Sequence, residues 1–547
     1  MKTISLKGLI LIAMGIILFQ STGQLQGQVS IAAPKWEGTF PNKPEFLHYA
    51  TPDAAYVVGT NTTDAAVLDG VSGKVLWNHD FETLLGTKKC GLQYVMHQAG
   101  VLFIYRSKGK SDVLHVLDLK TGSELWNSEQ FQNLSLSSII YLPELESFVI
   151  VTKTHLHMIE ARTGKEKWNN DKFTGSVAYS QYDDARKELI LLNYKTSWGA
   201  LTSGYKNQIM SLNVATGAVN WEQSYFGVIH LNEYSNRPVF EMIVKDENIY
   251  LMVMGLQVLN RNTGMEVWRT DFDLYDSKAN FGAPGYTYFY RGIAYPLIAD
   301  DAVYLVYNKQ ANAKVNVQKL NKSNGNIIWE YRVEGRNNPV PNIRLHEDKL
   351  LVQLGGRINI VGPQQVGSTY IFTSKYKWVG DYGVVALDAA SGTVVWDYRK
   401  LSDRITNIEV KGDKVYFADA KTLYAANISD GKLVQSVGVK SIKCGEPFEV
   451  LLLENSILSV GEKGMGSTKL SDFTVDWTVP MSNTSEGSEL DGNLYLLKGE
   501  KGINMVSLPS GKISATFKYT KGVKYAVTNE GKNLFIMGPK TAARFDI

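Results

Sequence analysis

The sequence predicts an all-β fold, a multi-bladed β-propeller of four-stranded antiparallel blades. Three observations predict it: a ten-residue pattern that recurs along the chain, four short strands in each interval, and two chain ends that complete one another. The pattern is Leu-Asp-x-x-Thr/Ser-Gly-x-x-x-Trp, nearly intact at Leu68–Trp77, Leu117–Trp126 and Leu387–Trp396. Looser copies are Ile159–Trp168, Leu212–Trp221, Leu259–Trp268 and Leu320–Trp329. The copies recur every roughly 40 to 70 residues, and repetition at such a period marks units that bury their faces only against neighbours.

Each element of the unit has a physical reason. The leucine ends an apolar strand. The Asp or Asn that follows has a short side chain able to bond the backbone two residues on, which starts a turn; Asp69, Asp118 and Asp388 are read in this role. The glycine, Gly73 in the first copy, supplies the positive φ of a tight hairpin. A short return strand then presents one aromatic at a fixed offset. Trp77, Trp126, Trp168, Trp221, Trp268, Trp329 and Trp396 read as wedges buried between adjacent sheets.

Weaker copies continue the series. Ala426–Gln435 has Gln435 in place of the Trp, Leu470–Trp477 reads as two residues short and lacks the Gly, and Leu508–Phe517 substitutes Phe517. Four strands per interval are plainest at 137–143, 147–153, 155–161 and 165–168. The last segment offers only three, at 524–530, 533–539 and 541–547; the fourth, with its Trp, stands near the other end as Pro34–Phe40. A sheet built from both ends would close a ring and remove two free edges. Counting it gives about eleven units, more than the four to eight typical of one ring, so one wide ring and two rings are both open.

Composition fits an exported, folded protein: 44% apolar and 11% aromatic residues, 48 Gly and only 20% charged residues. Lys2 and Lys7 precede the apolar run Gly8–Phe19 and a polar stretch, the layout of a cleavable signal peptide over 1–28, cut near Gly23–Gln28. The propeller then occupies 29–547, with no transmembrane anchor after cleavage. No Cys stands at the cleavage region, so lipid attachment is not expected. Loss of the two lysines takes the formal charge from +3 to about +1. No basic stripe is present, which argues against nucleic acid. A secreted or periplasmic location is expected.

The repeat resembles the pyrroloquinoline-quinone-type (PQQ-type) propeller repeat, Ala/Leu-x-Asp-x-x-Thr-Gly-x-x-x-Trp, over essentially all of 34–547. The resemblance implies the fold and leaves function open, because the family includes quinoprotein alcohol dehydrogenases, the lipoprotein scaffold of the outer-membrane β-barrel assembly machinery, and sensor or binding domains. The dehydrogenases cover their quinone with a ring of two adjacent cysteines and place a calcium ion, held by acidic and amide side chains, beside it. Here Cys90 and Cys444 are far apart in sequence and not adjacent, read as free thiols with a disulfide between them as the alternative, and no Cys-x-x-Cys-His is present. No cofactor, no metal and no catalytic residue is therefore expected. The alternative is a PQQ-dependent dehydrogenase with a diverged site, which would need PQQ and calcium.

Other chemistry is thin. His155 and His157 share a strand face but have no third ligand at recognisable spacing. Asp183–Asp184 and Asp300–Asp301 each precede an apolar strand and read as hairpin turns. The sequons at Asn61 and Asn483 matter only in a glycosylating host. No Gly-x-Ser-x-Gly, His-Glu-x-x-His or phosphate-binding loop occurs.

Three aromatic-rich insertions interrupt the series: Tyr194–Lys206 and Ile358–Gly383 between second and third strands, and Asp276–Tyr295 between units. In an up-and-down blade those two kinds of connection leave from one face, so all three should gather there as long loops on a rigid scaffold. Trp198, Tyr205, Tyr286, Tyr288, Phe289, Tyr290, Tyr376, Trp378 and Tyr382, with Arg291, Lys375 and Lys377, would line that rim. The expectation is a non-enzymatic scaffold whose loop-rich face binds a protein or a glycan.

Overall fold

The computed structural model describes residues 31–547 except 50–54, 107–111, 195–206, 227–230, 233–236, 272–287, 309–314, 519–523, 528–532 and gaps of at most three residues. The signal segment 1–28 and the insertion residues Trp198, Tyr205, Tyr286 and Arg291 lie outside the described residues.

The described residues form eleven antiparallel sheets of four or five strands, nine of them with their strands in sequence order, besides a two-stranded ribbon of Leu231–Asn232 and Arg237–Pro238. We number them as blades 1 to 11, at 46–80, 92–128, 139–170, 176–223, 241–271, 297–332, 342–398, 409–438, 447–480, 486–518 and 524–546. Blade 3 has the four expected strands, Ile139–Leu142, Ser147–Val151, Leu156–Glu160 and Glu166–Asn170. Blade 11 takes its fourth strand, Trp36–Thr39, from the N-terminal end, in register Trp36↔Arg544 to Thr39↔Thr541. Two short helices, Phe81–Leu85 and Val439–Ile442, sit between blades.

The tryptophans settle the number of rings. Each wedge lies on the turn of the next blade and donates its indole N–H to a carbonyl there. Trp77 bonds Leu119 O, Trp126 bonds Ala161 O and Trp168 bonds Val214 O. Trp221, Trp268, Trp329 and Trp396 do the same to Arg261, Lys322, Ala389 and Ile428. Trp36, in blade 11, bonds Gly70 O of blade 1 at 3.0 Å. The ladder therefore returns to its start: the eleven blades make one ring, and both ends of the described chain lock it.

The same contacts explain the glycines more fully than the turn does. A Cβ on Gly164 would lie 2.6 Å from Trp126 Cγ, and one on Gly264 would lie 2.2 Å from Trp221 Cε3. Glycine is required both for its positive φ and as the flat seat of the preceding blade's ring. The Asp role holds: Asp69 Oδ1 accepts the N–H groups of Val71 and Ser72 at 3.1 and 2.6 Å. The Ser72 hydroxyl bond, with these backbone bonds, holds the Asp69 carboxyl below its usual range.

Two weak copies need correcting. The blade 9 turn is full length, because Phe473 N bonds Lys469 O as Gly73 N bonds Asp69 O. Phe473 thus occupies the glycine position, at φ 60°. It can do so because the preceding blade carries Gln435 opposite Ala425, where Trp77 stands opposite Val67 in blade 1, so no ring needs the seat. Phe473 is itself buried and stacks 6.4 Å from Tyr416 of blade 8. The missing wedge is supplied from the other side of the seam. In blade 10 the Trp place falls on Ala515, opposite Met505. Phe517, two residues on and fully buried, closes that seam edge-on to Phe545 at 4.9 Å.

Candidate binding face

Blade 7 departs from the others. Its second and third strands run Lys349–Val366 and Thr369–Asp388, lengths of 18 and 20 residues where most strands have four to seven. The insertion Ile358–Gly383, expected as a loop, is a two-stranded extension of the blade, with Ile358↔Lys377 and Val366↔Thr369 in register. Its composition accounts for this: Ile358, Ile360, Val361 and the run Tyr370–Thr373 are β-branched or aromatic and favour a pleated surface. A register shift between Leu354 and Gly356 marks where blade becomes arm. Gly355, Gly356 and Gly380 have positive φ at this junction.

The inter-blade insertion reaches the same place. Tyr288–Tyr290, from the connection between blades 5 and 6, pairs antiparallel with Asn359–Val361 of the arm. It continues the lane of blade 7's own first strand, Asn342–His346, which pairs with the base of the same strand. Two of the three insertions therefore join in one sheet, as strands rather than loops. The third, at 195–206, is outside the described residues.

The base of the arm is tied to the ring. Asp381 N donates to Asn338 Oδ1 at 3.1 Å, and Gly380 is needed because a Cβ there would sit 2.4 Å from that oxygen. Arg404 lies over the Trp378 ring, 5.2 Å from its centroid, while its guanidinium pairs with Glu446 and, at 3.7 Å, with Glu462. Tyr382 is half-buried and packs on the cluster around Leu351, Val384 and Phe417. Trp378 and Tyr382 thus stand at the base, and Tyr376, Tyr288 and Tyr290 are placed by backbone register on the arm and its added strand. Asn338 and Arg404 lie in the connections on either side of blade 7, where sequence reasoning had no pattern to find them.

The other candidates make contacts within and between blades. His157 Nδ1 meets Glu166 Oε2 at 2.8 Å, and the His155 ring lies 5.8 Å from it. His115 and Glu124 repeat that pairing in blade 2 at 2.6 Å. Among the described residues no group of three His, Cys, Asp or Glu is placed to hold a metal. Asp183 does start a turn, and it also accepts from Arg261 of blade 5, whose buried guanidinium is shared with Glu188 at 2.7 Å. That bond is the main reason the Asp183 carboxyl is held below 3.8. Cys90 and Cys444 are free and buried, and desolvation pushes their thiols up to about 11 and about 12.

A family model described as outer membrane protein assembly factor BamB, of the PQQ-like repeat type, matches residues 14–270, 244–368 and 362–515. The chain belongs to that family. Among solved structures, BamB-like propellers include BamB from Moraxella catarrhalis, 15% identical over 60% of this chain and 95% of that one, with a TM-score of 0.25. The computationally designed Ika8 protein is 13% identical over 83% of this chain and 100% of its own, with a TM-score of 0.29. A Dos1 propeller is 10% identical over 68% and 93%, with a TM-score of 0.35. A search of curated proteins finds no match. Among the described residues of this BamB-family propeller, no helix is long and apolar enough to cross a membrane.

Proposed function

We propose that this BamB-family propeller is an exported, non-enzymatic scaffold that binds a protein partner through the sheet built on blade 7. The observation that carries the reading is the joining of two insertions into one extended sheet, tied at its base to the connections on either side of blade 7. A rigid ring with a projecting sheet is suited to positioning a binding surface. On the outer side of Thr369–Tyr382 no strand pairs among the described residues, so the arm offers backbone donors and acceptors to an added strand. The family description, an assembly factor, supports a partner that is itself a protein. Tyr288, Tyr290 and Tyr376 would supply aromatic anchors beside that edge, with Trp198, Tyr205, Tyr286 and Arg291 from the flanking segments. Trp378 and Tyr382 would bound the surface at its base. Export would follow from cleavage near Gly23–Gln28 into the periplasm or beyond.

The test is a pull-down of the tagged mature chain from envelope extract, compared with a variant in which 359–376 is replaced by a two-residue turn. The partner should be lost, by roughly 10-fold or more, with melting unchanged. Recovery of the same partners by the shortened chain would sink the proposal. N-terminal sequencing of the exported protein checks the cleavage.

A further inference from the structure

Nine tryptophans act as inter-blade wedges, and eight end their indole N–H on a carbonyl of the next blade. The ninth, Trp477 of blade 9, is seated like the rest: a Cβ on Gly511 would lie 2.2 Å from its ring. Yet its N–H has no acceptor among the described residues. The carbonyl at the equivalent place belongs to Leu508, and the residue after it is Pro509, where the other turns carry no proline. Beside this packed seam an open pocket of about 780 Å³ lies against Trp477, between the turns of blades 8, 9 and 10 on the motif-turn face. That is within the range of roughly 300–1,000 Å³ that holds whole small ligands.

Its walls are apolar where Leu453, Leu470, Leu508 and Pro509 line it. Of its two lysines, one is loosely held and one is committed. Lys469 reaches Asp476 only at 3.6 Å and is half exposed, leaving ammonium hydrogens free to donate. Lys411 caps the carbonyls of Leu453 and Glu454 at the rim. Glu454 and Asp476 also border the space and offset Lys411 and Lys469, so the lining is close to neutral: a ligand with several negative charges would be repelled, and a single carboxylate is held by the hydrogen bonds it accepts rather than by surplus positive charge. In eight seams the wedge N–H goes to an oxygen of the next blade; Trp477, half-buried at the pocket wall, leaves its N–H open to an oxygen from a ligand.

We propose that this pocket binds a carboxylate carried on an apolar body, the chemistry shared by a peptide ending in an aliphatic residue and a medium-chain fatty acid. One oxygen accepts from Trp477 Nε1, the other from the Lys469 ammonium, and the apolar body lies on Leu470, Leu508 and Pro509. The site is on the face opposite the arm and is independent of partner binding there.

Calorimetric titration of the mature chain tests it with three probes: an acetylated tetrapeptide ending in Leu-Leu, the same peptide amidated at its C-terminus, and octanoate. At least one carboxylate should bind, and which one does identifies the source. If the peptide is the ligand, amidation should weaken it about 10-fold or more, since charge-assisted hydrogen bonds are lost. Trp477→Phe keeps a seated ring without the N–H and should weaken binding about 5-fold or more, as should Lys469→Gln. Trp396→Phe is the control: its N–H is already bonded to Ile428 O, so it should lower Tm and leave binding unchanged. No binding of either carboxylate, equal binding of the amide, or a Trp477→Phe variant that binds as tightly as the parent chain would each overturn the proposal.

Discussion

At Gly164 a hydrogen is the largest substituent the neighbouring blade accepts, because the ring of Trp126 lies directly on the α-carbon. Trp126→Ala should cost about 3–5 kcal/mol in denaturant melts, as other large-to-small core aromatics do. Gly164→Ala should cost about 2–4 kcal/mol through the same contact, from overpacking and a strained φ together. The seam between blades 8 and 9 makes a sharper test, since both halves of the pair are exchanged there. Gln435→Trp should destabilise alone, because Phe473 fills the seat. Combined with Phe473→Gly it should recover at least about 1 kcal/mol of coupling, measured as a double-mutant cycle. Additive effects would show that the seat and the wedge are not partners. The tryptophans were legible in the sequence because an aromatic at a fixed offset has few other uses. The second duty of the glycines was not, since the ring that needs them lies 34 to 63 residues earlier in the series.

The arm was legible only in part. Its place between second and third strands could be counted, and its β-branched and aromatic residues were visible, but strands of about five residues elsewhere made a stretch of 26 read as loop. What turned it into sheet is a partner, Tyr288–Tyr290, that is more than 60 residues away and leaves no local trace. The anchored base predicts two outcomes for shortening. Removing 359–376 should change stability by no more than about 0.5 kcal/mol, as changes away from packed features usually do. Extending the cut through Gly383 removes the Asp381–Asn338 bonds and the packed Tyr382 ring, and should cost about 3–5 kcal/mol in the same melts. The clamp between blades 4 and 5 carries a pH dependence. The Arg261 bond holds the Asp183 carboxyl below 3.8, so its stabilisation is present at neutral pH and is lost as pH falls through that lowered value. The melting difference between the parent chain and Asp183→Asn should accordingly shrink at acid pH. A constant difference from neutral pH down to roughly pH 2 would show that the ion pair contributes nothing.

For the molecule as a whole, the repeat count and the pairing of the two ends followed from the sequence, while the choice between one ring and two did not. That choice rests on which blade each wedge touches, a geometric fact with no counterpart in a repeat written linearly. Deleting Pro34–Phe40 removes Trp36 from the seam and leaves the edge Thr541–Asp546 bare. Aggregation or a clear fall in Tm is expected, read by light scattering and calorimetry. A monomer with unchanged melting would show that the latch is dispensable.

The latch also has a consequence in time. Trp36 is among the first segments of the ring to be synthesised, and its partner Arg544 among the last, so the pair that closes the ring forms only after some 500 intervening residues exist. Until then the early strand waits, and blade 1 waits with one side uncovered. A chain broken off before Thr541 can complete ten blades and still never shut. Its two naked edges would be open to pairing with other chains, so the seam between blades 11 and 1 ties closure of the ring to the arrival of its last strand.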